Sequence, residues 1–350
     1  MIKKILTFVI ILGATGLGGL FYVHFYMAQK VMASTDKIIK VEKGTGLNRF
    51  AKSLEDKGLI DNWQLFAKIG QLYGYQDKIK YGEYLISPGE TYQGVYDKII
   101  SGENLRYEVT FVEGEHRFNY AQLIETKELG SAKTFLDLTT DQEFIRELLG
   151  EPLDSLEGYL FPETYHFSKN DDERTIIRTM VQRFLEVTKG FHWSKFGMNR
   201  QQMVTLASII EKETGAGFER PLISSVFHNR LAKKMRLQTD PTIIYGILYE
   251  TGQELKNIKK SDITRPTAYN TYVISGLPPG PIANPGEEAL KAALSPQKTD
   301  YLYFVSRNDG THVFTETYDQ HLKAVKKFQL DATMRRGKSW RDLKNKKERL

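Results

Sequence analysis

The sequence predicts an α+β protein: one N-terminal transmembrane helix, a small βααβ module, and a larger mixed α+β domain. Three observations carry that reading. An uncharged, mostly apolar run extends from Ile5 to Met27. Short strand and helix patterns alternate between Asp36 and Gly102. Beyond Arg106, amphipathic helical stretches are broken by long proline-rich segments.

Length and composition agree. A chain of 350 residues can bury two cores, and 41% hydrophobic with 26% charged residues is ordinary for a globular protein. There is no cysteine, which excludes disulfides, thiol nucleophiles and cysteine-ligated metal. Residues 334–350 hold eight Lys/Arg against two Asp/Glu, which equals the whole net charge of +6. The body is therefore balanced and offers no basic stripe to nucleic acid. The tail reads as a solvated terminus.

Lys3 and Lys4 precede the apolar run, leaving residues 1–4 as a short cytoplasmic N-terminus. About 20 apolar residues span a bilayer, so 5–27 is expected to be an uncleaved membrane anchor. Tyr22, His24 and Tyr26 are placed to act as interfacial anchors at its outer end.

Residues 28–105 form the small module. Ile38–Val41 and Glu83–Ile86 read as strands. Leu47, Phe50, Ala51 and Leu54 mark a helix stopped by Gly58, and Leu65, Phe66 and Ile69 a helix stopped by Gly70. Tyr92 to Ile100 gives a third helix ending at Gly102. Strand–helix–helix–strand is the order of a LysM-type module, a carbohydrate-binding unit of bacterial walls.

Residues 106–333 form the larger domain. Arg106–Val112 alternates as a strand, and helices are expected near Tyr120–Ile124, Phe144–Leu149 and Ile176–Leu185. Between them lies LEGYLFPETYHF (156–167), rich in aromatics and carboxylates, where Pro162 forbids a continuous helix. Glu219–Ala232 reads as a helix with Val226, Phe227 and Leu231 inward. RPTAYNTYVISGLPPGPIANPG (265–286) holds five of the 11 prolines and must be largely loop. A hairpin around Asn308–Gly310 and a last helix to about Phe328 follow.

The candidate chemistry centres on NRQQMVTLASIIEKET (199–214). Met203, Leu206, Ala207 and Ile210 recur at helical spacing. The next position on that stripe is Glu213, whereas Glu211 lies about 200° around the helix from it. A carboxyl on an apolar face is paired, neutral or useful. If neutral, it can act as a general acid. Gln238, Asp240, Tyr245, Tyr269, Asn270, Tyr272 and Glu163 supply the aromatic faces and planar polar groups that bind sugars. The seven His show no HExxH-type spacing, so a metal-free, cofactor-free site is expected.

ASIIEKET (207–214), FHNRL (227–231), MRLQTDPTIIYG (235–246), TAYNTY (267–272), GLPPGPIANPG (276–286) and LEGYLFPETY resemble the signature blocks of the endolytic murein transglycosylases, also called MltG or YceG-like proteins. The similarity runs from the anchor to about His321, and the basic tail is not part of the pattern. The resemblance implies a single-pass inner-membrane protein with a LysM-like subdomain and a YceG-like catalytic domain facing the wall. It implies internal cleavage of nascent peptidoglycan strands, leaving 1,6-anhydro-N-acetylmuramic acid ends, with peptidoglycan synthases as partners. It also implies that the second Glu of EKET, Glu213, is catalytic. One carboxyl then protonates the glycosidic oxygen and removes the C6 hydroxyl proton as that oxygen closes on C1. Two other readings remain open at this level. One is a lysozyme-like muramidase using Glu157 or Glu163 as second carboxylate. The other is a non-catalytic wall-binding scaffold.

Overall fold

A computed structural model describes residues 2–213 and 216–331. The basic tail (334–350) and Thr214 lie outside the described residues. The chain divides into two compact units, Met1–Glu108 with His166–Asp172, and Val109–Tyr165 with Glu173–Leu350.

The first unit begins with helix α1 (Ile2–Met27), whose segment Lys4–Met27 is long and apolar enough to cross a membrane, with mean hydropathy 2.0. Its large side chains up to Phe25 are mostly exposed, but its last turn is not. Tyr26 and Met27 are buried, and the Tyr26 ring meets Tyr92 edge-on at 5.1 Å. Tyr26 is therefore a core residue of this unit, not the lipid-interface anchor that its position in the sequence suggests. The following residues continue the attachment: Val31 N–H donates to Glu90 O at 2.8 Å and Met32 N–H to Leu59 O at 2.9 Å.

Strand β1 (Lys37–Val41) pairs antiparallel with β2 (Gly82–Ile86), with Ile39 opposite Tyr84. Ile39, Val41, Tyr84 and Ile86 share the buried face, as two-residue alternation requires. Helices α2 (Leu47–Asp56), α3 (Trp63–Leu72) and α4 (Tyr92–Ser101) close the core around Phe50, Phe66 and Tyr96. Gly70 does not stop α3; it lies inside the helix. A side chain there would collide with the hydroxyl of Tyr96, which donates to Phe66 O at 2.6 Å. The glycine serves a close helix approach, and the stop falls to Gly74 at φ +68°.

Strand β3 (Tyr107–Thr110) pairs with β4 (Thr164–Phe167), and the chain passes between the units within each strand. In the second unit, α5 (Arg117–Thr126), α7 (Gln142–Leu149) and α8 (Glu173–Val187) match the expected helices. Helix α6 (Ala132–Leu138) and strand β4 are additions. Both are too short for a periodicity to register.

Helix α9 (Arg200–Glu213) is the centre of this unit, and α10 (Arg220–Ala232), α11 (Asp240–Thr251) and α13 (Glu287–Leu294) pack against it. Every residue from Met203 to Glu211 is buried, so α9 has no solvated face over that stretch. The amphipathic stripe is real but is not the whole of the buried surface. Helix α13, which the pattern reading passed over, is one of its main packing partners. A short helix α12 (Lys260–Ile263) precedes 264–286, which contains neither helix nor strand, as its prolines and glycines dictate. The hairpin of β5 (Tyr303–Ser306) and β6 (His312–Thr315) and helix α14 (Tyr318–Val325) complete the unit.

Candidate active site

The last turn of α9 carries three polar side chains, and each is held by a different segment. Glu211 accepts a hydrogen bond from Arg220 Nη2 at 2.7 Å and one from Gly286 N–H at 3.0 Å. Lys212 Nζ donates to Gly114 O at 2.9 Å. Glu213 Oε1 accepts the hydroxyl hydrogen of Thr239. By helical spacing alone, Glu211 falls on the side of α9 away from the apolar stripe. The structure buries it more deeply than Glu213, because α10 and the 276–286 loop cover that side. Glu211 is the structural ion-pair partner, and Glu213 is the partly buried carboxyl that reaches a cavity.

That cavity is a cleft of about 450 Å³. It is lined by Glu213, Arg230, Gln238, Asp240 and Tyr272, and by the rings of Tyr303, Tyr318 and His321. Burial raises the Glu213 carboxyl to about 7. The Thr239 hydrogen bond opposes that rise, the Asp240 charge adds to it, and Arg230 opposes it weakly. A carboxyl with this value can both give and take a proton near neutral pH.

Local sequence builds the cleft. Thr239 is the N-cap of α11, and its N–H donates to Thr271 Oγ1 at 3.0 Å. Thr242 and Thr271 share a hydroxyl contact of 2.9 Å, which ties the start of α11 to the proline-rich loop. Gln238 has φ +52°, a left-handed conformation that a non-glycine residue adopts at a cost. Arg230 is buried and donates from Nε to Leu302 O at 2.6 Å and from Nη1 to Leu237 O at 2.9 Å. It thereby ties the segment before Gln238 to the segment before Tyr303.

Of the sequence-predicted site residues, Gln238, Asp240 and Tyr272 join Glu213 in the cleft, and Tyr272 O–H donates to Asp240 Oδ1 at 2.7 Å. The others lie elsewhere. Tyr245 is buried and donates to Glu157 Oε2 at 2.9 Å, and Tyr269 packs edge-on against it at 4.9 Å. Asn270 is fully buried and staples its own loop through Ile263 O and Arg265 O. Glu163 pairs with Arg183. Thr239, Tyr303, Tyr318 and His321 carry no site signal in the sequence pattern. Arg230 carries one, since it lies four residues after Val226 on the inward face of α10.

A second buried carboxyl organises the scaffold. Glu157 is also raised to about 7, by burial first, against the opposing pull of Arg117 and its hydrogen-bond donors. It accepts from Arg117 N–H, Tyr245 O–H and Asn284 Nδ2. Asn284 in turn accepts at Oδ1 from Gly158 N–H at 2.8 Å and Leu160 N–H at 3.2 Å. Gly158 has φ +87°, and a Cβ there would collide with Pro281 and Val204. LEGYLF, PIANPG and α9 are thus locked together, and Glu157 does not line the cleft. A larger cavity of about 1070 Å³, lined in part by Phe196, His228 and Pro278, contains none of the sequence-predicted site residues. Among the described residues no group of three or more His, Asp or Glu is gathered as a metal ligand set would be.

Residues 39–327 match the profile of the YceG-like family. The chain belongs to that family. It is 33% identical over 311 residues to the endolytic murein transglycosylase of Bacillus subtilis, covering 83% of this chain and 84% of the relative. It is 25% identical to the endolytic murein transglycosylase of Streptococcus pneumoniae strain R6, covering 92% of this chain. It spans 64% of that relative's length. A crystal structure of a YceG-like protein from Listeria monocytogenes aligns with TM-score 0.55 and 30% identity, over 83% of this chain and 100% of that one. The described parts of the blocks LEGYLF, IIEKE, LQTDP, AYNTY and PPGPIANPG are joined by the contacts above around the end of α9.

Proposed function

We propose that this chain is an endolytic murein lytic transglycosylase. It cleaves the bond between N-acetylmuramic acid and N-acetylglucosamine within nascent peptidoglycan strands, leaves 1,6-anhydro ends, and so terminates elongation. The observation that carries this reading is the Glu213 carboxyl, raised to about 7 and lining an open cleft. Relatives named endolytic murein transglycosylases support the substrate.

The chemistry needs one group. Protonated Glu213 gives its proton to the glycosidic oxygen as the bond to C1 breaks and the sugar becomes oxocarbenium-like. The resulting carboxylate takes the proton from the C6 hydroxyl as that oxygen bonds to C1. The donated and recovered protons balance, and water is not consumed. Thr239, donating to Oε1, holds the carboxyl in place and steadies its anionic stage. The unit containing β1 and β2 acts as a LysM-like wall-binding subdomain. α1 anchors the protein in the inner membrane with the cleft on the extracytoplasmic side, where peptidoglycan synthases are its partners.

Hydrolysis is the competing reading, because Asp240 lines the same cleft and could serve as a second carboxylate. Glu157 is enclosed and Glu163 is paired with Arg183, so neither is placed for that role. Digestion of purified glycan strands by the full chain in detergent separates the readings. Anhydro ends, one water lighter than reducing ends, support the lyase. Reducing ends establish hydrolysis. A Glu213→Gln protein that retains full cellular function points to a scaffold.

A further inference from the structure

The cleft lining combines two unlike groups of side chains. Gln238, Asp240 and Tyr272 offer amide, carboxylate and hydroxyl groups, with Tyr272 bonded to Asp240. Tyr303, Tyr318 and His321 offer rings that cluster against one another. A pyranose has the same division, with polar hydroxyls and an acetamido group around its rim and C–H bonds on its faces.

The aromatic cluster is built as a unit. Tyr318 and His321 are three residues apart on α14 and so share a face. His321 stacks on Tyr303 with centroids 5.2 Å apart and planes at 26°. Arg230 lies 5.1 Å from the Tyr303 ring centre, so Tyr303 is braced by two neighbours. Burial, and then the Arg230 charge, lower the His321 pKa, so the imidazole is neutral near pH 7 and stacks as an aromatic. Its Nδ1 is buried without a hydrogen-bond partner, a cost that packing against Tyr303 must offset. Tyr318 leans on both, 5.8 Å from Tyr303 and 6.2 Å from His321, and remains 57% exposed. The Thr317–Gln320 capping box fixes the helix turn that carries it.

We propose that Tyr318, braced by Tyr303 and His321, is the platform on which one N-acetylhexosamine ring of the glycan rests beside Glu213. This rests on the glycan-cleaving reading above. The ring's electron-rich face meets the polarised C–H bonds of the sugar, while Gln238, Asp240 and Tyr272 in the same cleft read the polar rim.

The test is binding of a short alternating N-acetylglucosamine–N-acetylmuramic acid oligomer to the full-length Glu213→Gln protein in detergent. Adding Tyr318→Ala should raise Kd roughly five- to tenfold. Tyr318→Phe and Tyr318→Trp should stay within about twofold of the parent, because they keep the ring. Tyr318→Leu should resemble Ala, which separates a ring face from mere apolar volume. In the otherwise unaltered protein the Tyr318→Ala loss should fall in KM more than in kcat. A Kd for Ala within twofold of the parent, or Phe as damaging as Ala, overturns the platform. If the parent binds and the unaltered protein cleaves, that failure is the platform's alone. If neither happens, the glycan-cleaving reading falls and the platform with it.

Discussion

Thr239 donates its hydroxyl hydrogen to Oε1 of Glu213 across 26 residues of sequence. One residue holds the N-cap position of α11 and the other ends α9, so the contact joins two helix termini at the cleft. It also tempers the rise in proton affinity that burial gives the carboxyl, since a donor favours the charged form.

Replacing Thr239 by Val keeps the shape and removes the donor. The Glu213 pKa should then rise further, moving the alkaline limb of the pH–rate profile to higher pH. The cleavage rate should fall, because the anionic stage loses its support. A profile that stays in place while the rate falls would show that Thr239 only packs.

Glu213→Gln should cost cleavage about 10²–10⁴-fold or more, since one group serves both proton transfers. Above pH 7 wild-type kcat/KM should decline, because the acid form is lost as pH rises through about 7. A Gln variant with near-normal rate would remove the acid from Glu213.

Glu211→Gln should act on stability first. Its ion pair with Arg220 is largely buried, with side-chain exposures of 5% and 15%, and breaking such a pair costs up to about 3–5 kcal/mol. A thermal melt should show a marked loss, with activity falling as Gly286 and the loop are released. An unchanged melting temperature with abolished cleavage would instead give Glu211 a part in the chemistry.

Stability should depend on pH through Glu213 and Glu157. Both sit at about 7 when folded, against 4.5 for the free side chain. The folded chain keeps protons that the unfolded chain releases between those values, so stability falls as pH rises from about 4.5 to 7 and levels off above. Melting temperature followed from pH 5 to 8 should drop in wild type and drop less in Glu213→Gln.

Fragments that keep or lose the last turn of α1 should differ sharply in stability. A fragment starting at Phe25 keeps Tyr26, Met27 and Val31 in the first unit's core, whereas one starting at Asp36 loses all three. Burying one such side chain is worth about 1.5–3 kcal/mol. The longer fragment should therefore melt at clearly higher temperature, and equal melting would mean that these residues do not pack in solution.

The sequence alone determined the α+β class, the apolar helix, the strand–helix–helix–strand order of the first unit and the loop character of 265–286. Each of these follows from local rules: side-chain periodicity, glycine and proline geometry, and run length. It also marked Glu213 by its place on the stripe. The tertiary structure decided the rest. Gly70, read as a stop, is a close-approach point, because Tyr96 arrives from another helix. Glu211, read as outward, is enclosed by α10 and a loop from residue 276 onward. Tyr245, Tyr269 and Asn270, read as ligands, hold the scaffold, and Tyr303, Tyr318 and His321 line the cleft in their stead. Periodicity reports one face of one helix, and α9 is buried from several sides by segments far away in the chain. Which carboxyl is desolvated yet still reaches open space depends on the sum of those distant neighbours.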